Sequence, residues 1–129
     1  MTLLPRTIAI VALVLLSLAA TPSRAQALRV MSFNIRLPVE ADGPDRWEQR
    51  KPLIARMVPA QDPDVIGAQE LHRVQGDDLV RRLPQYVWFG RDRRGGRDDE
   101  HMGVFYRSDR LRVIESGDFW LFDTPDVPG

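Results

Sequence analysis

Short hydrophobic segments alternate with polar breaks along most of this chain, and their spacing predicts the order of its strands and helices. Residues Leu28–Ile35 form an apolar run with polar flanks, which is typical of a strand. Residues 46–58 have helical spacing, because Trp47, Ile54 and Val58 fall on one face of a helix. The chain is therefore predicted to begin, after residue 27, with a strand and an amphipathic helix.

Two residues bear on the start of this helix. Asp45 is a candidate N-cap, because its side chain can accept a backbone N–H of the first turn. Pro52 is tolerated only in the first turn of a helix, so the regular helix is predicted to begin near Arg50. The stretch AQDPD then breaks the helix, and the apolar run Val65–Glu70 predicts a second strand.

The rest of the chain predicts one more helix and several more strands. Residues 74–83 predict a short helix, and residues 85–91, 103–108 and 111–116 predict three strands. Residues 117–122 are a candidate for a sixth strand. A strand–helix–strand–helix opening followed by a strand-rich part is typical of a mixed α/β (α+β) domain, in which helices cover a sheet.

Two polar side chains stand at the ends of the first two predicted strands, Asn34 on the first and Glu70 on the second. If these strands are parallel neighbours, their carboxyl ends meet at one edge of the sheet, where ligand sites collect. A carboxylate with a nearby amide oxygen is half of a magnesium site, since Mg²⁺ takes one or two carboxylates and shares its other positions with water and substrate phosphate. Each residue alone also has a plainer interpretation, Asn34 as a turn residue and Glu70 as a solvated acid.

Composition narrows the chemistry of such a site. The sequence has no cysteine, so it forms no disulfide, and only oxygen ligands, His72 and His101 remain for a metal. These ligands favour hard cations such as Mg²⁺, Mn²⁺ or Ca²⁺. All 18 acidic residues follow residue 27, whereas Arg6 and Arg24 of the 18 basic residues precede it. The later part is therefore slightly acidic and has no basic field for tight nucleic-acid binding.

The first 27 residues have the layout of a secretory signal peptide. Arg6 supplies a basic start, an apolar run covers residues 8–20, and small residues offer a cleavage site after Ala27 or Ala25. A membrane anchor is the alternative, but the apolar run is shorter than the roughly 20 residues that span a bilayer. We therefore expect a secreted or periplasmic protein without a membrane anchor, with its domain in residues 28–129.

Three motifs, taken in order, resemble the endonuclease/exonuclease/phosphatase (DNase I-like) family. They are MSFNIR at the first strand, DPDVIGAQE at the second, and HMGVFYR followed by LRVIESGDFWLFDTP, which is similar to a secreted bacterial branch. The resemblance implies the N-terminal half of a four-layer α/β/β/α sandwich. It also implies that Glu70 binds Mg²⁺ or Mn²⁺ and that Asn34 sits beside the ion or orients the phosphate. The implied activity is metal-dependent hydrolysis of a phosphoester, either a nucleic acid or a small phosphate ester.

The sequence departs from the family's pattern in the motifs that supply the general base. The resemblance implies a histidine partnered by an aspartate and Thr-His, Gly-Asp-x-Asn and Ser-Asp-His motifs, none of which occurs here. No histidine follows His101 and no asparagine follows Asn34. Phe122 stands where the branch usually has serine, and Gly103 where proline is common. We therefore expect a partial domain that binds metal weakly, does not turn over, and leaves one sheet face uncovered.

Four further residues are candidate substrate contacts, namely Arg36, Glu100, His101 and Tyr106. Arg36 directly follows the first strand and is a candidate to contact phosphate, and the resemblance places Glu100 and His101 at the wall of a cleft. The alternative for the first three is a solvated surface position, and for Tyr106 a core position. His72 is predicted to cap the next helix, with an approach to the metal as the alternative.

The aromatic residues predict packing and not base stacking, because no basic groove accompanies them. Trp47 is expected in the core, with its indole N–H satisfied locally. The other predicted core anchors are Trp88, Phe89, Phe119 and Trp120. Two alternatives to an enzyme stay open: a non-catalytic secreted remnant that binds a phosphate or a partner protein, and a different α/β module whose strand ends match by chance.

Overall fold

The computed structural model describes residues 27–128. The predicted signal peptide lies outside these residues except for its last position, Ala27. Each helix within the described range is too short or too polar to cross a membrane.

The described chain forms one four-stranded sheet and two α-helices. In chain order the elements are β1 (Val30–Asn34), α1 (Trp47–Gln61), β2 (Val65–Leu71), α2 (Arg73–Arg82), β3 (Tyr86–Phe89) and β4 (His101–Arg107), with a 3-10 turn over Glu40–Asp45 before α1. The strand order is β1-β2-β4-β3. β1 and β2 are parallel, whereas β4 runs antiparallel to both of its neighbours. The mixed α/β fold and the parallel pairing of the first two strands are therefore confirmed.

Helix α1 begins earlier than Pro52 predicts and does not use Asp45 as its cap. Its N-cap is Arg46, with no side-chain hydrogen bond at that position, and Asp45 ends the 3-10 turn instead. The N–H of Arg50 bonds to the Arg46 carbonyl at 3.2 Å, so helical turns form ahead of the proline. Pro52 removes one backbone hydrogen bond near the helix start. Burial of Trp47 in the same turns helps to offset that loss.

The core lies between one face of the sheet and the two helices. Trp47, Ile54 and Val58 are buried, which confirms the predicted apolar face of α1. Trp47 also donates its indole N–H to Asp78 Oδ2 at 2.8 Å, and Trp88 packs against the core as expected. Burying one large aliphatic side chain stabilises a fold by roughly 1.5–3 kcal/mol. The buried side chains between the sheet and the helices therefore supply most of the hydrophobic stabilisation. The other buried hydrophobic members of this core are Ile35, Ile66, Ala68, Leu71, Leu79, Leu83, Tyr86 and Phe105.

The opposite face of the sheet is not covered by any element of residues 27–128. Val30 and Met102 are largely exposed there. Phe89 is 37% exposed and packs edge-on against Tyr106, with ring centroids 6.2 Å apart. The prediction that Phe89 is a core anchor is therefore wrong, whereas the described residues do contain the uncovered face expected of a partial sandwich.

Residues 111–116 and 117–122 form no strands, so these two predictions are wrong. Ile114 is 91% exposed and Phe119 is also mostly exposed, so Phe119 is not a core anchor. An apolar run becomes a strand only where a neighbouring strand accepts its backbone hydrogen bonds and a surface covers its side chains. This part of the chain finds neither among the described residues. Trp120 is half-buried and donates its indole N–H to the Arg93 carbonyl at 2.9 Å.

Candidate functional site

The carboxyl ends of β1 and β2 bring Asn34 and Glu70 together, as the parallel pairing predicts. Asn34 lies opposite Gln69 in the sheet, and its Nδ2 donates to Glu70 Oε1 at 2.8 Å. Its Oδ1 accepts the backbone N–H of Arg36 at 2.9 Å. These two bonds together fix which way the amide points. Asn34 therefore presents its NH₂ group to the carboxylate and its oxygen to the following turn.

A β-bulge sets the direction of Glu70. Ala68 pairs with Gly103 and Leu71 pairs with His101, so β2 carries one more residue than β4 between these pairs. Glu70 lies at this irregularity and has φ 54°, in the left-handed region that residues with a side chain seldom adopt. Bulges of this kind occur next to active sites, where they re-aim a side chain.

The Glu70 carboxylate is ionised and partly open to solvent, since 30% of the side chain is exposed. The hydrogen bond from Asn34 is the main cause that lowers the pKa of Glu70 below its usual range. The backbone N–H of Leu37, 3.3 Å from Oε2, lowers this pKa further, and so does the positive charge of Arg36. The site thus holds a fixed negative charge at neutral pH.

Arg36 lies beside Glu70 and is held by Asp42, a residue that the sequence did not single out. Its Nη2 and Nε bond to the two carboxylate oxygens of Asp42 at 2.9 and 3.2 Å. Its Nη1 lies 3.9 Å from Glu70 Oε2. The hydrogen bond to Asp42 is the main cause that raises the pKa of Arg36, and the same bond lowers the pKa of Asp42. The structure therefore brings Arg36 to the predicted site.

Arg50 of α1 holds the turn that follows β1. Its guanidinium donates to the carbonyl oxygens of Ile35, Arg36 and Leu37, at 2.9 Å for Leu37. Its charged end also lies 5.8 Å from the centroid of the Trp47 ring. A polar residue in a helix gives no sequence signal for such a role, because most such residues face solvent.

Two predicted substrate contacts lie away from the Glu70 carboxylate. Tyr106 pairs with Val65 at the amino end of β2, which at about 3.3 Å per residue is ~16 Å along the strand from Glu70. His101 lies beside the bulge, but its side chain is completely buried and packs edge-on against Trp88 at 5.6 Å. The structure therefore does not gather these two side chains with Asn34 and Glu70, and their contact with a substrate stays a prediction.

The remaining two candidates, Glu100 and His72, are both engaged in local structure. Glu100 forms an ion pair with Arg93, so it is engaged within its own loop. His72 is the N-cap residue of α2, as predicted. A cleft of about 350 Å³ opens at this helix start. Its lining is almost entirely polar and includes His72, Arg73, Asp77, Arg97 and Asp98.

A single carboxylate organises the loop that leads into β4. Asp92 is buried and forms an isolated bridge with His101. Its two oxygens accept four backbone N–H groups at 2.8–3.0 Å, from Arg94, Gly96, Asp98 and Asp99. Burial raises the pKa of Asp92, but these four hydrogen bonds outweigh it and lower the pKa to about 2. Asp92 thus fixes the loop beside the site.

Low pH should destabilise the loop that Asp92 holds together. Because the pKa of Asp92 is lowered on folding, from 3.8 to about 2, its stabilising effect is complete above roughly pH 4 and is lost as pH falls towards 2. We expect urea midpoints of the wild type to fall more steeply between pH 4 and pH 2 than those of Asp92→Asn. Asp123→Asn, at an exposed position, is the control and should keep the wild-type slope. Equal slopes for Asp92→Asn and wild type would contradict the prediction.

The donor set at Glu70 fits a hard cation that keeps most of its shell for water and substrate. Among residues 27–128, no three histidine or acidic side chains gather within reach of one ion. Mg²⁺ needs only one or two carboxylates when waters and phosphate oxygens complete its shell, whereas a structural zinc site needs four protein ligands. Glu70 alone therefore suits an ion of the Mg²⁺ type.

No protein-family model matches the chain, but several solved structures do. The mannosyl-6-phosphatase of Bacteroides thetaiotaomicron is 42% identical with a TM-score of 0.75, over 80% of this chain and 40% of that one. An endonuclease/exonuclease/phosphatase from Bacteroides vulgatus is 33% identical with a TM-score of 0.77, over 81% of this chain and 41% of that one. The chain thus spans about 40% of the length of these relatives.

More distant proteins share part of the fold. TDP2 of D. rerio, solved with a single-stranded DNA product, is 26% identical with a TM-score of 0.56, over 71% of this chain and 34% of that one. An uncharacterised protein of Acanthamoeba polyphaga mimivirus is 28% identical over 94 residues, which is 64% of this chain and 14% of that protein. Over about 80% of its length the chain therefore resembles the endonuclease/exonuclease/phosphatase family, and its sheet and helices are part of the DNase I-like fold.

Proposed function

We propose that the Asn34–Glu70 site binds a divalent cation of the Mg²⁺ type and serves the hydrolysis of a phosphoester. The observation that carries this proposal is the ionised, partly exposed Glu70 carboxylate, which lies at a bulge in β2 and which Asn34 and Arg36 flank. Similar proteins include a mannosyl-6-phosphatase and a TDP2 solved with a DNA product, which supports a phosphoester as the class of substrate.

Each side chain of the site has its own role in this proposal. Glu70 holds the cation through its carboxylate, and Asn34 keeps that carboxylate oriented through Nδ2. Mg²⁺ or Mn²⁺, when bound, offsets negative charge on phosphoryl oxygens and makes a bound water more acidic. Arg36 keeps a positive charge next to Glu70 and has Nη1 turned towards the carboxylate, where it can donate to a phosphate oxygen. Asp42 occupies the other two nitrogens and so holds the guanidinium in place.

Proton removal from the attacking water needs a base, and we assign that role to neither of the two described histidines. His101 is completely buried, and His72 begins α2 as its N-cap. We therefore place the general base in a part of the longer relatives that this chain does not match, and we expect the 129-residue chain to bind metal without turnover.

A small phosphate ester is the substrate class with the stronger support. The phosphatase relative is 42% identical, whereas the DNA-bound TDP2 is 26% identical. The cleft at the start of α2 is lined by charged side chains, His72 and Val74, and no tryptophan, tyrosine or phenylalanine lines it. Export through the signal peptide predicted over residues 1–27 belongs to the same proposal, as it gives a secreted or periplasmic site of action.

Metal binding tests the proposal directly. Mn²⁺ binding to the full chain can be followed by the loss of the free-ion electron paramagnetic resonance signal. Glu70→Gln keeps the size of the side chain but removes its charge. Mutating residues that only hydrogen-bond to metal ligands already lowers metal affinity by about 10–100-fold. We expect the loss of the ligand itself to lower the affinity for Mn²⁺ by at least as much. Glu115→Gln makes the same change at an exposed position and should bind Mn²⁺ like the wild type.

The opposite outcome has a clear meaning. If wild type and Glu70→Gln bind Mn²⁺ equally, the site is not the metal site, and a chance match of strand ends becomes the better explanation. If the wild type binds no Mn²⁺ at all, the chain is better described as a non-catalytic remnant.

A further inference from the structure

We infer that Gln75 is a positioning residue for the proposed cation site, and that it acts together with Arg50 by holding the turn at residues 35–37. The role rests on the proposed function, since the site that it serves is the proposed one. Neither side chain bonds to the Glu70 carboxylate itself, and both bond to the backbone between β1 and the 3-10 turn.

Gln75 uses both ends of its amide, although its side chain is completely buried. Oε1 accepts the backbone N–H of His72 at 2.9 Å, which caps α2. Nε2 donates to the carbonyl oxygen of Arg36 at 2.8 Å. A buried amide with both ends bonded is well satisfied, so the same side chain ties the start of α2 to the turn after β1.

Arg50 of α1 donates hydrogen bonds to the same turn. Its guanidinium reaches the carbonyls of three successive residues, and one of them, Arg36, is the carbonyl that Gln75 also holds. Hydrogen bonds from a charged donor are stronger than those between neutral groups. Two helices therefore fix one carbonyl from two directions.

The turn at residues 35–37 supplies the backbone N–H groups that orient the Glu70 carboxylate. Leu37 donates its N–H to Glu70 Oε2, and Arg36 donates its N–H to Asn34 Oδ1, which turns the Asn34 NH₂ towards Glu70 Oε1. Arg36 has φ 65°, a left-handed conformation that persists only where surrounding contacts impose it. Loss of the Gln75 and Arg50 contacts would release Arg36 and misplace both donors.

Gln75→Glu separates the two bonds of this side chain. An ionised glutamate keeps an oxygen to accept the His72 N–H, but it has no hydrogen to donate to the Arg36 carbonyl. We expect the affinity of the full chain for Mn²⁺ to fall by about tenfold, as for other outer-shell changes at metal sites. Gln61→Glu, the same change at the exposed end of α1, should leave the affinity unchanged.

A spectroscopic signal reports on the positioning itself. Asn34 is the only asparagine in the chain, so selective ¹⁵N-asparagine labelling gives a single pair of side-chain amide resonances. In the metal-free wild type one of these two protons is hydrogen-bonded to Glu70 Oε1 and should exchange slowly with water. Gln75→Glu should shift the pair and speed its exchange, whereas Gln61→Glu should not.

The outcomes separate positioning from simple helix capping. If Gln75→Glu lowers the melting temperature but leaves both the Asn34 resonances and the Mn²⁺ affinity at wild-type values, the inference is overturned. If the wild type binds no Mn²⁺, the proposed function fails, and the Asn34 resonances still decide whether Gln75 positions the turn. Should Gln75→Glu not fold, Arg50→Lys carries the same test, because one ammonium group cannot reproduce the planar fork that reaches three carbonyls.

Discussion

Replacing Asp64 with alanine should lower the free energy of unfolding by about 1.5–3 kcal/mol, the usual contribution of a hydrogen bond to a charged group. Asp64 directly precedes β2 and is 1% exposed. One of its oxygens accepts the Arg29 N–H at 2.8 Å, and the other forms an ion pair with Arg110. The substitution removes the buried negative charge that Arg110 faces and leaves the Arg29 N–H without its acceptor, so both partners lose stabilisation.

Urea unfolding of the full chain measures this loss, and an exposed ion pair supplies the control. Glu40 pairs with Arg46 at 3.7 Å, but its side chain is 88% exposed. Glu40→Ala should therefore change the free energy of unfolding by no more than about 1 kcal/mol. If Asp64→Ala and Glu40→Ala lower the free energy of unfolding by similar amounts, the Asp64 ion pair is solvated and the prediction is wrong.

Leu71→Ala is expected to cost about 2–5 kcal/mol, because it leaves a cavity in the core directly after Glu70. Gly103, on the neighbouring strand β4, offers a way to fill that cavity. A Cβ added at Gly103 would lie 2.3 Å from Leu71 Cδ2, in the space that the leucine now occupies. Gly103→Ala alone should therefore overpack the site and cost about 1–3 kcal/mol.

The double variant Leu71→Ala/Gly103→Ala should be more stable than the sum of the two single effects predicts. The new methyl group takes part of the volume that the leucine vacates, so we expect a coupling of about 1 kcal/mol or more in a double-mutant cycle. Leu71→Ala combined with Leu53→Ala is the control, since Leu53 is exposed and its effect should add. Simple additivity in the first cycle would mean that the two positions do not share this space.

The sequence predicted the elements wherever burial alone decides them. The helical spacing of Trp47, Ile54 and Val58 and the apolar run of β2 report the face that packs into the core, and the structure confirms both. Residues 111–122 have an equally apolar pattern but form no strand, because strand formation also requires a neighbour that the pattern cannot supply.

The site was predictable only in part for a related reason. The meeting of Asn34 and Glu70 follows from two parallel strands, a local property of the opening segment. The left-handed conformations of Arg36 and Glu70 give no signal, since neither residue type favours them. The role of Gln75 is equally hidden, because the carbonyl that it holds belongs to a residue 39 positions earlier in the chain.

The order of the strands has a consequence for how the chain folds as it leaves the ribosome. β4 follows the other three strands in sequence yet lies between β2 and β3 in the sheet. β1, α1 and β2 can pair early in synthesis, whereas β3 has no partner until β4 emerges. The bulge at Glu70 is a mismatch between β2 and β4, so it cannot exist before β4 inserts. A nascent chain that ends before His101 therefore already contains Asn34, Arg36 and Glu70. The Glu70 carboxylate of that chain does not yet have the orientation that the bulge gives it.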